Sequence, residues 1–357
     1  MIKLNLRCAA KYNQFNVAYG YGRTYHSFVK YLSRRDDVQL VEDYREADMQ
    51  VCMCYPHKYV EEFAWWGRKR HPIQVIYTTW EVTILPKDWT EVINRAQACF
   101  VPSQWAIETF RDNGVQVPIH WTPNAADGDD FKFCERDWAG TEAEWWDGKK
   151  FVYIWQGMHP ADRKNMVLAQ RAFQELDLPD SWFIAKWYPI VSSPVGPVKY
   201  DSRRITQIGR IFNREAYQRL LGLCHVSVNP FRGESPGQMP METASTGMFT
   251  IATNWGGATD YLHEDYFWPL KYRLCEPGQD YISTSPYNDV RAAVPGRGQD
   301  ALADFDDLKR AMRWAYENRE EAAKIGAAAS RYIQQEWNWE MAAAHMVNAC
   351  KKVLANV

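Results

Sequence analysis

Short apolar runs recur along this chain with helical stretches between them, and that recurrence restricts the fold more than any other feature. Runs of four to six residues lie at 49–54, 75–79, 98–102 and 119–123, and again at 151–155, 182–185, 226–229 and 249–253. Runs this short and continuously apolar suit strands covered on both faces. Ahead of them, Ile2, Leu4 and Leu6 alternate with Lys3, Asn5 and Arg7, which reads as a first strand. Between the runs, Phe28 and Leu32 share a helical face beside Lys30, Arg34 and Arg35, and 165–176 places Ala169, Ala172, Phe173 and Leu176 on one side of a second helix. Asp304 precedes a helix carrying Phe305, Leu308, Met312 and Ala315, and Ala-rich helices over 320–354, broken near 337–339, close the chain. Strands alternating with helices predict parallel βαβ units and an α/β fold.

With 357 residues, two such units are expected. Acidic and Gly residues, Asp127 to Asp130 and then Asp147 and Gly148, gather around three Trp between 126 and 150 and mark the join. The expected domains are 1–135, a linker over 136–150, 151–335, and a terminal helix over 336–357. A hydrophobic fraction of 46% with 24% charged residues excludes a disordered chain, and a net charge of −2 argues against a globally basic nucleic-acid coat. The eight Cys are scattered, so they read as buried apolar side chains. No segment has the length of apolar sequence a membrane span needs, and the N-terminal apolar run is short for a signal peptide, which makes a cytoplasmic location the expectation. The 17 Trp and 20 Tyr suit either cores or surfaces that stack on sugars or bases.

The strongest local signal is the stretch 231–242, Phe-Arg-Gly-Glu-Ser-Pro-Gly-Gln-Met-Pro-Met-Glu, directly after the run at 226–229. It reads as strand, loop and helix start. Pro240 belongs in a first helical turn. The amides of Gly237, Gln238 and Met239 would then be open, with the positive end of the helix dipole behind them, an arrangement that holds phosphate. Glu242 is expected in the same first turn, leaning back toward a ligand there and accepting hydrogen bonds from a ribose diol. Glu234 sits in the loop, near whatever the diphosphate carries.

Glu234 and Glu242, seven residues between them, with Gly237 and Pro240 inside and 250–257 afterwards, resemble the C-terminal signature of retaining GT-B glycosyltransferases of the glycogen-synthase and sucrose-synthase type. Gly20, Tyr21, Gly22 and Arg23 resemble that family's N-terminal Gly-rich loop. Residues 101–105 and 123–127 resemble its paired landmarks before the interdomain linker, Gly157 with Arg163, Lys164 and Asn165 its diphosphate-contacting segment, and 337–340 its final helix entry. The resemblance implies two Rossmann-like domains facing a cleft, the donor in the second, and a C-terminal helix crossing back to the first. It implies that Arg163 and Lys164 pair with the donor diphosphate, Glu234 contacts the sugar hydroxyls, Glu242 holds the ribose, and Gly22 belongs to the donor side. The chain departs from the pattern at Met158, where relatives carry Arg, and Arg163 is the residue available to substitute. In such enzymes the phosphate takes the acceptor's proton, so the donor, a UDP- or GDP-sugar, is the co-substrate and no further cofactor is implied.

On the acceptor side, Glu81 and Trp80 follow the run at 75–79, with Tyr21 and Arg23 nearby. Glu81 reads either as an acid facing the acceptor or as a structural cap. Residues 1–35 are basic and aromatic without Asp or Glu, and 65–70 repeats the mixture. This suits a solvated helix face over core aromatics, or contact with a phosphate-rich acceptor such as hydroxymethylated DNA of the kind some phage-type enzymes modify; a glycan or a membrane lipid acceptor are the other forms. Asp127-Gly128-Asp129 and Asp304-Phe305-Asp306 imitate the metal-binding motif of a different glycosyltransferase architecture, but fall in a linker and at a helix start, so no metal site is expected. The competing readings on the same fold are a non-catalytic nucleotide-sugar-binding protein and a sugar-nucleotide epimerase.

Overall fold

A computed structural model describes residues 1–9, 20–56, 72–158, 162–188, 199–201, 204–277 and 298–356. The chain divides into two compact units: one runs to Ala125 and resumes at Trp337, and the other occupies the sequence between them. In the first, β1 (Ile2–Cys8), β2 (Val38–Leu40), β3 (Met49–Met53), β4 (Ile73–Tyr77), β5 (Ala98–Val101) and β6 (Ile119–Trp121) pair in the order β2-β1-β3-β4-β5-β6. Every pair is parallel. Helices α1 (Gly20–Leu32), α2 (Lys87–Ile93) and α3 (Gln104–Asp112) lie between strands. Ser103 caps α3, its hydroxyl accepting from the Ala106 N–H at 3.1 Å.

The second unit contains β7 (Thr141–Ala143), β8 (Trp146–Met158), β9 (Ser181–Tyr188), β10 (Lys199–Asp201), β11 (Ile205–Gly209), β12 (Val226–Asn229), β13 (Phe249–Thr253) and β14 (Trp268–Leu270), with a separate hairpin of β15 (Tyr272–Cys275) and β16 (Asp300–Ala303). Its helices are α4 (Met166–Leu176), α5 (Arg214–Gly222), α6 (Gln238–Ser245), α7 (Phe305–Glu317) and α8 (Arg319–Glu336). The parallel strands run β11-β9-β8-β12-β13-β14. In chain order this is the doubly wound arrangement that reverses direction between its first and fourth strands, here between β8 and β12. Phe151, Tyr153 and Trp155 of β8 pack on one face with Leu168, Ala172 and Phe173 of α4 and Leu308 and Met312 of α7. Val152 and Ile154 face the other side with Leu220 and Leu221 of α5. Both faces are covered, which is why 151–155 in β8 reads as an unbroken apolar run.

The last helix, α9 (Trp339–Leu354), belongs to the first unit, as the expected return of the chain end requires. Phe28 of α1 meets Trp339 edge-on at 5.0 Å. Asn338 caps α9 by accepting from the Met341 N–H at 2.9 Å, which accounts for the break between the closing helices. Trp80, Trp155 and Trp339 are among the largest fully buried side chains, so much of the aromatic load is core.

The stretch expected as a linker, 136–150, is instead a hairpin. β7 pairs antiparallel with β8, and the Trp146 indole donates to the Thr141 carbonyl at 3.1 Å and packs 5.5 Å from Trp182. Of the residues that suggest a linker, Gly148, at φ +60°, lies within β8 where the register shifts, and ahead of β7 Asp137 accepts from the Ala139 N–H at 2.9 Å and from Lys149 at 2.7 Å.

His225, just before β12, ties this segment to the sheet. Its Nδ1 accepts from the Val152 N–H at 3.0 Å, and its Nε2 lies 2.8 Å from the Asp137 carbonyl, so the ring is neutral with its proton on Nε2. Burial, the largest cause, holds its pKa down at about 4. The unfolded chain titrates this histidine near the ordinary value of about 6.5, and so binds more protons than the native state between about 6.5 and 4. The ring's contribution is complete above that window and is lost as pH falls through it, by up to about 3 kcal/mol. Urea denaturation between pH 7 and 4 is expected to show this slope in the wild type and a shallower one in His225→Gln; equal slopes would exclude His225 as the source.

Candidate functional site

The reversal point between β8 and β12 brings two distant loops together. After β8 the chain turns through Asp162–Lys164, a short 3₁₀ turn, into α4; after β12 it runs through residues 230–237 into α6. Arg163 Nη1 lies 2.5 Å from Glu234 Oε1, and the Lys164 ammonium pairs with the same oxygen. All three side chains are largely buried. Arg163 Nη1 also donates to the Gly233 carbonyl at 2.7 Å, and the Arg163 carbonyl accepts from the Arg232 N–H at 2.7 Å. The sequence brings forward these two cations and this acid separately; the fold makes them one cluster.

Two glycines shape the cluster. Gly237 caps α6 at φ +63°, and a Cβ there would stand 2.8 Å from both Ala258 Cβ and the Tyr261 hydroxyl oxygen. Tyr261 donates that hydroxyl to the Gly237 carbonyl. Burial pushes its phenol far up, and the carboxylates of Glu234, Asp260 and Glu242 push the same way. Gly256, at φ +74°, passes so close that a Cβ would stand 2.5 Å from the Glu234 carbonyl, which the Gly257 N–H holds at 2.7 Å. The Gly pair after β13 thus fixes the backbone of the acid.

Helix α6 begins at Gln238, not at Pro240, so Glu242 is its fifth residue and lies beyond the first turn. Pro240 is the third. The early start comes from Gly237, whose left-handed backbone begins the helix sooner than a proline position suggests. Glu242 is buried all the same. The amides of Gly237, Gln238 and Met239 do sit at the helix start. The other end of α6 is held by α8: Ser330 Oγ donates to the Ser245 carbonyl at 2.6 Å and Gln334 Nε2 to the same oxygen at 3.0 Å. Three buried polar atoms at this edge of the sheet, Asn165 Nδ2 at the start of α4, Ser235 Oγ before α6 and Thr253 Oγ1 at the end of β13, have no hydrogen-bond partner among the described residues. Sequence reasoning singled out neither Ser235 nor Thr253 by itself. Their signal is position alone: Ser235 lies in the loop after β12, and Thr253 is the last residue of β13.

Met158 is the last residue of β8, and His159 lies outside the described residues. The guanidinium that reaches the cluster is that of Arg163.

In the first unit the expected acceptor residues divide. Gly20, Tyr21, Gly22 and Arg23 open α1 and are helical, so they form its first turn and not a glycine loop; the preceding residues 10–19 lie outside the description. Tyr21 is buried, its hydroxyl 3.1 Å from Thr78 Oγ1 and accepting from the Thr79 N–H at 3.2 Å, so it braces the turn that carries Glu81. Gly22 is buried in the helix and Arg23 is half-buried. Trp80 is a core residue: its indole donates to the Ile84 carbonyl at 2.7 Å and its ring packs 4.6 Å from Trp89. Glu81 is buried in the bend after β4. A network absent from the sequence reading joins the same edge: Tyr77 donates to Asn124 Oδ1 at 2.6 Å, and Asn124 Nδ2 donates to Thr24 Oγ1 at 3.0 Å.

The basic residues at the C-terminal end of α1 and just after it do not make an open stripe. Lys30 and Arg34 stack on Tyr31 at 4.9 and 4.5 Å, Arg34 pairs with Glu340 at 3.6 Å and Arg35 with Asp37 at 2.9 Å. The similar mixture at 65–70 lies outside the described residues. Asp127 caps its own turn by accepting from the Asp129 N–H at 2.9 Å, and Asp304 caps α7 by accepting from Asp307 N–H at 2.8 Å, so the two metal-like acidic patterns serve as backbone caps.

Solved structures share this architecture. The chain is similar to HepE of Anabaena, solved with UDP and glucose, at a TM-score of 0.67 and 11% identity over 99% of this chain and 100% of that one. It is similar to a glycosyltransferase of Rickettsia africae ESF-5, at 0.64 and 13% over 100% of each chain, and to the UDP-forming α,α-trehalose-phosphate synthase of Burkholderia xenovorans, at 0.62 and 11% over 98% and 100%. These neighbours are GT-B glycosyltransferases, and the fold is theirs. No protein-family model matches the chain, and no curated protein sequence does.

Gly256→Ala tests how tightly the acid is held. The added Cβ must displace the Glu234 carbonyl and adopt a left-handed backbone, at a cost of about 2 kcal/mol or more. Urea titration should show that loss, with Gly128→Ala, where no atom lies within 4 Å, close to wild type.

Proposed function

We propose that this protein is a retaining glycosyltransferase that moves a sugar from a UDP-sugar to the hydroxyl of a saccharide acceptor. One observation supports this above the others: Arg163, Lys164 and Glu234 converge at the reversal point of a doubly wound sheet, beside the N-terminus of α6. That is where such sheets bind ligands, and helix amides with two cations suit a diphosphate. Asn165, Ser235 and Thr253 have hydrogen-bonding capacity to spend there. UDP is favoured over GDP because HepE is solved with UDP and glucose.

In this reading the cations turn from Glu234 to the diphosphate and offset the charge that builds as the sugar–phosphate bond breaks. The carboxylate, released from the cations, accepts hydrogen bonds from the sugar hydroxyls, and Glu242 holds the ribose. The departing phosphate takes the acceptor's proton, so no protein base is needed. A saccharide hydroxyl is preferred to hydroxymethylated DNA because Arg34 and Arg35, just after α1, are engaged with Tyr31, Asp37 and Glu340.

A thermal-shift panel of UDP-, GDP- and ADP-glucose should stabilise the wild type with UDP-glucose alone, by about 2.7 kcal/mol at a hundredfold excess over Kd. Lys164→Ala should lose that shift. Glu234→Gln should lower turnover of labelled UDP-glucose by about a hundredfold while UDP alone still binds. No shift with any nucleotide sugar would overturn the reading.

A further inference from the structure

We propose that Arg232, through its buried pair with Asp300, is the positioning residue that aims Glu234 and Arg163 at the donor; this rests on the glycosyltransfer reading above. Arg232 lies within the stretch 231–242, two residues before Glu234, and Asp300 lies 68 residues away in the hairpin of β15 and β16. The Arg232 side chain is 1% exposed and that of Asp300 6%. The guanidinium donates through Nε to Asp300 Oδ2 at 3.0 Å and through Nη2 to Asp300 Oδ1 at 2.7 Å, a two-point pairing, and Nη2 also donates to Cys275 Sγ at 2.9 Å. The Cys275 thiol in turn donates to Asp300 Oδ1 at 3.4 Å.

The backbone of the same residue reaches both sides. Its N–H donates to the Arg163 carbonyl at 2.7 Å, and its carbonyl accepts from the Ala301 N–H at 2.8 Å. Arg163 returns the contact through Nη1 to Gly233 and Glu234. Arg232 therefore ties the loop of Glu234 to the turn of Arg163 and to β16 at once, two residues from the acid it positions.

The choice of residues carries the argument further than the contacts do. A buried ion pair is costly to desolvate, and an apolar pair of similar volume commonly gives a fold of equal or greater stability. What an apolar pair lacks is direction: a two-point guanidinium–carboxylate contact fixes an angle as well as a distance. At a site whose chemistry depends on where two cations and one carboxylate point, a small displacement costs rate more than it costs folding.

The test separates these roles. The double variant Arg232→Met with Asp300→Leu is expected to melt within a few degrees of wild type. Its turnover of UDP-glucose should fall at least tenfold, with KM changed less than threefold. Asp300→Glu, which keeps the charge but shifts the angle, should fall between the two. A folded double variant with wild-type kcat would overturn the positioning role while leaving the glycosyltransfer reading intact. A double variant that does not fold, with Asp300→Glu folded and at wild-type kcat, would overturn it equally. A wild type that neither binds nor turns over UDP-glucose would instead remove the underlying reading, and this proposal with it.

Discussion

One carboxylate oxygen, Oε1 of Glu234, meets both Arg163 and Lys164 in a largely buried corner of the second unit. Two cations brought together out of water repel each other and each loses hydration, so the corner is tenable only with an anion between them. Glu234 is that anion. The surrounding construction serves to keep it there: Gly256 and Gly257 clamp its carbonyl, Arg163 binds the carbonyl before it, and Tyr261 closes over Gly237 at the start of α6.

The same arrangement is what would let the corner take the anionic donor proposed for it. An anion that takes over Arg163 and Lys164 replaces one charge partner with another, so the electrostatic cost of the cations is already met by the fold. The helix start adds oriented amides that need not reorganise. The position follows from topology, since the reversal of strand order between β8 and β12 leaves a crevice that neither loop alone would create.

Much of this was legible from residue order. The runs at 226–229 and 249–253 are strands over those same residues, because both faces are covered and the short Ser227, Asn229, Thr250 and Thr253 side chains are buried along with Val226, Val228, Phe249 and Ile251. Asp304 and Asn338 cap the helices that follow them, since a short side chain reaching its own backbone is a local event. The hairpin at 141–158 was hidden for the opposite reason: its stability lies in Trp146 against Trp182 and in His225 against Asp137, contacts between residues far apart in sequence, while its local composition is that of a loop. Trp80 looked like a surface for a ligand and is core, because nothing in a single tryptophan tells which neighbours will cover it.

Local sequence by itself determined the strands, most of the helices, the caps and the chemical kinds of residue available at the corner, because each depends on side-chain periodicity or on groups within a few positions. Tertiary structure alone decided that Arg163 and Lys164 share one oxygen of Glu234, that Glu242 falls past the first turn, and that Asp300 completes the charge of Arg232. Those relations join residues as far apart as 71 positions along the chain, and the crossovers of an open, two-faced sheet together with the β15–β16 hairpin set the distances between them.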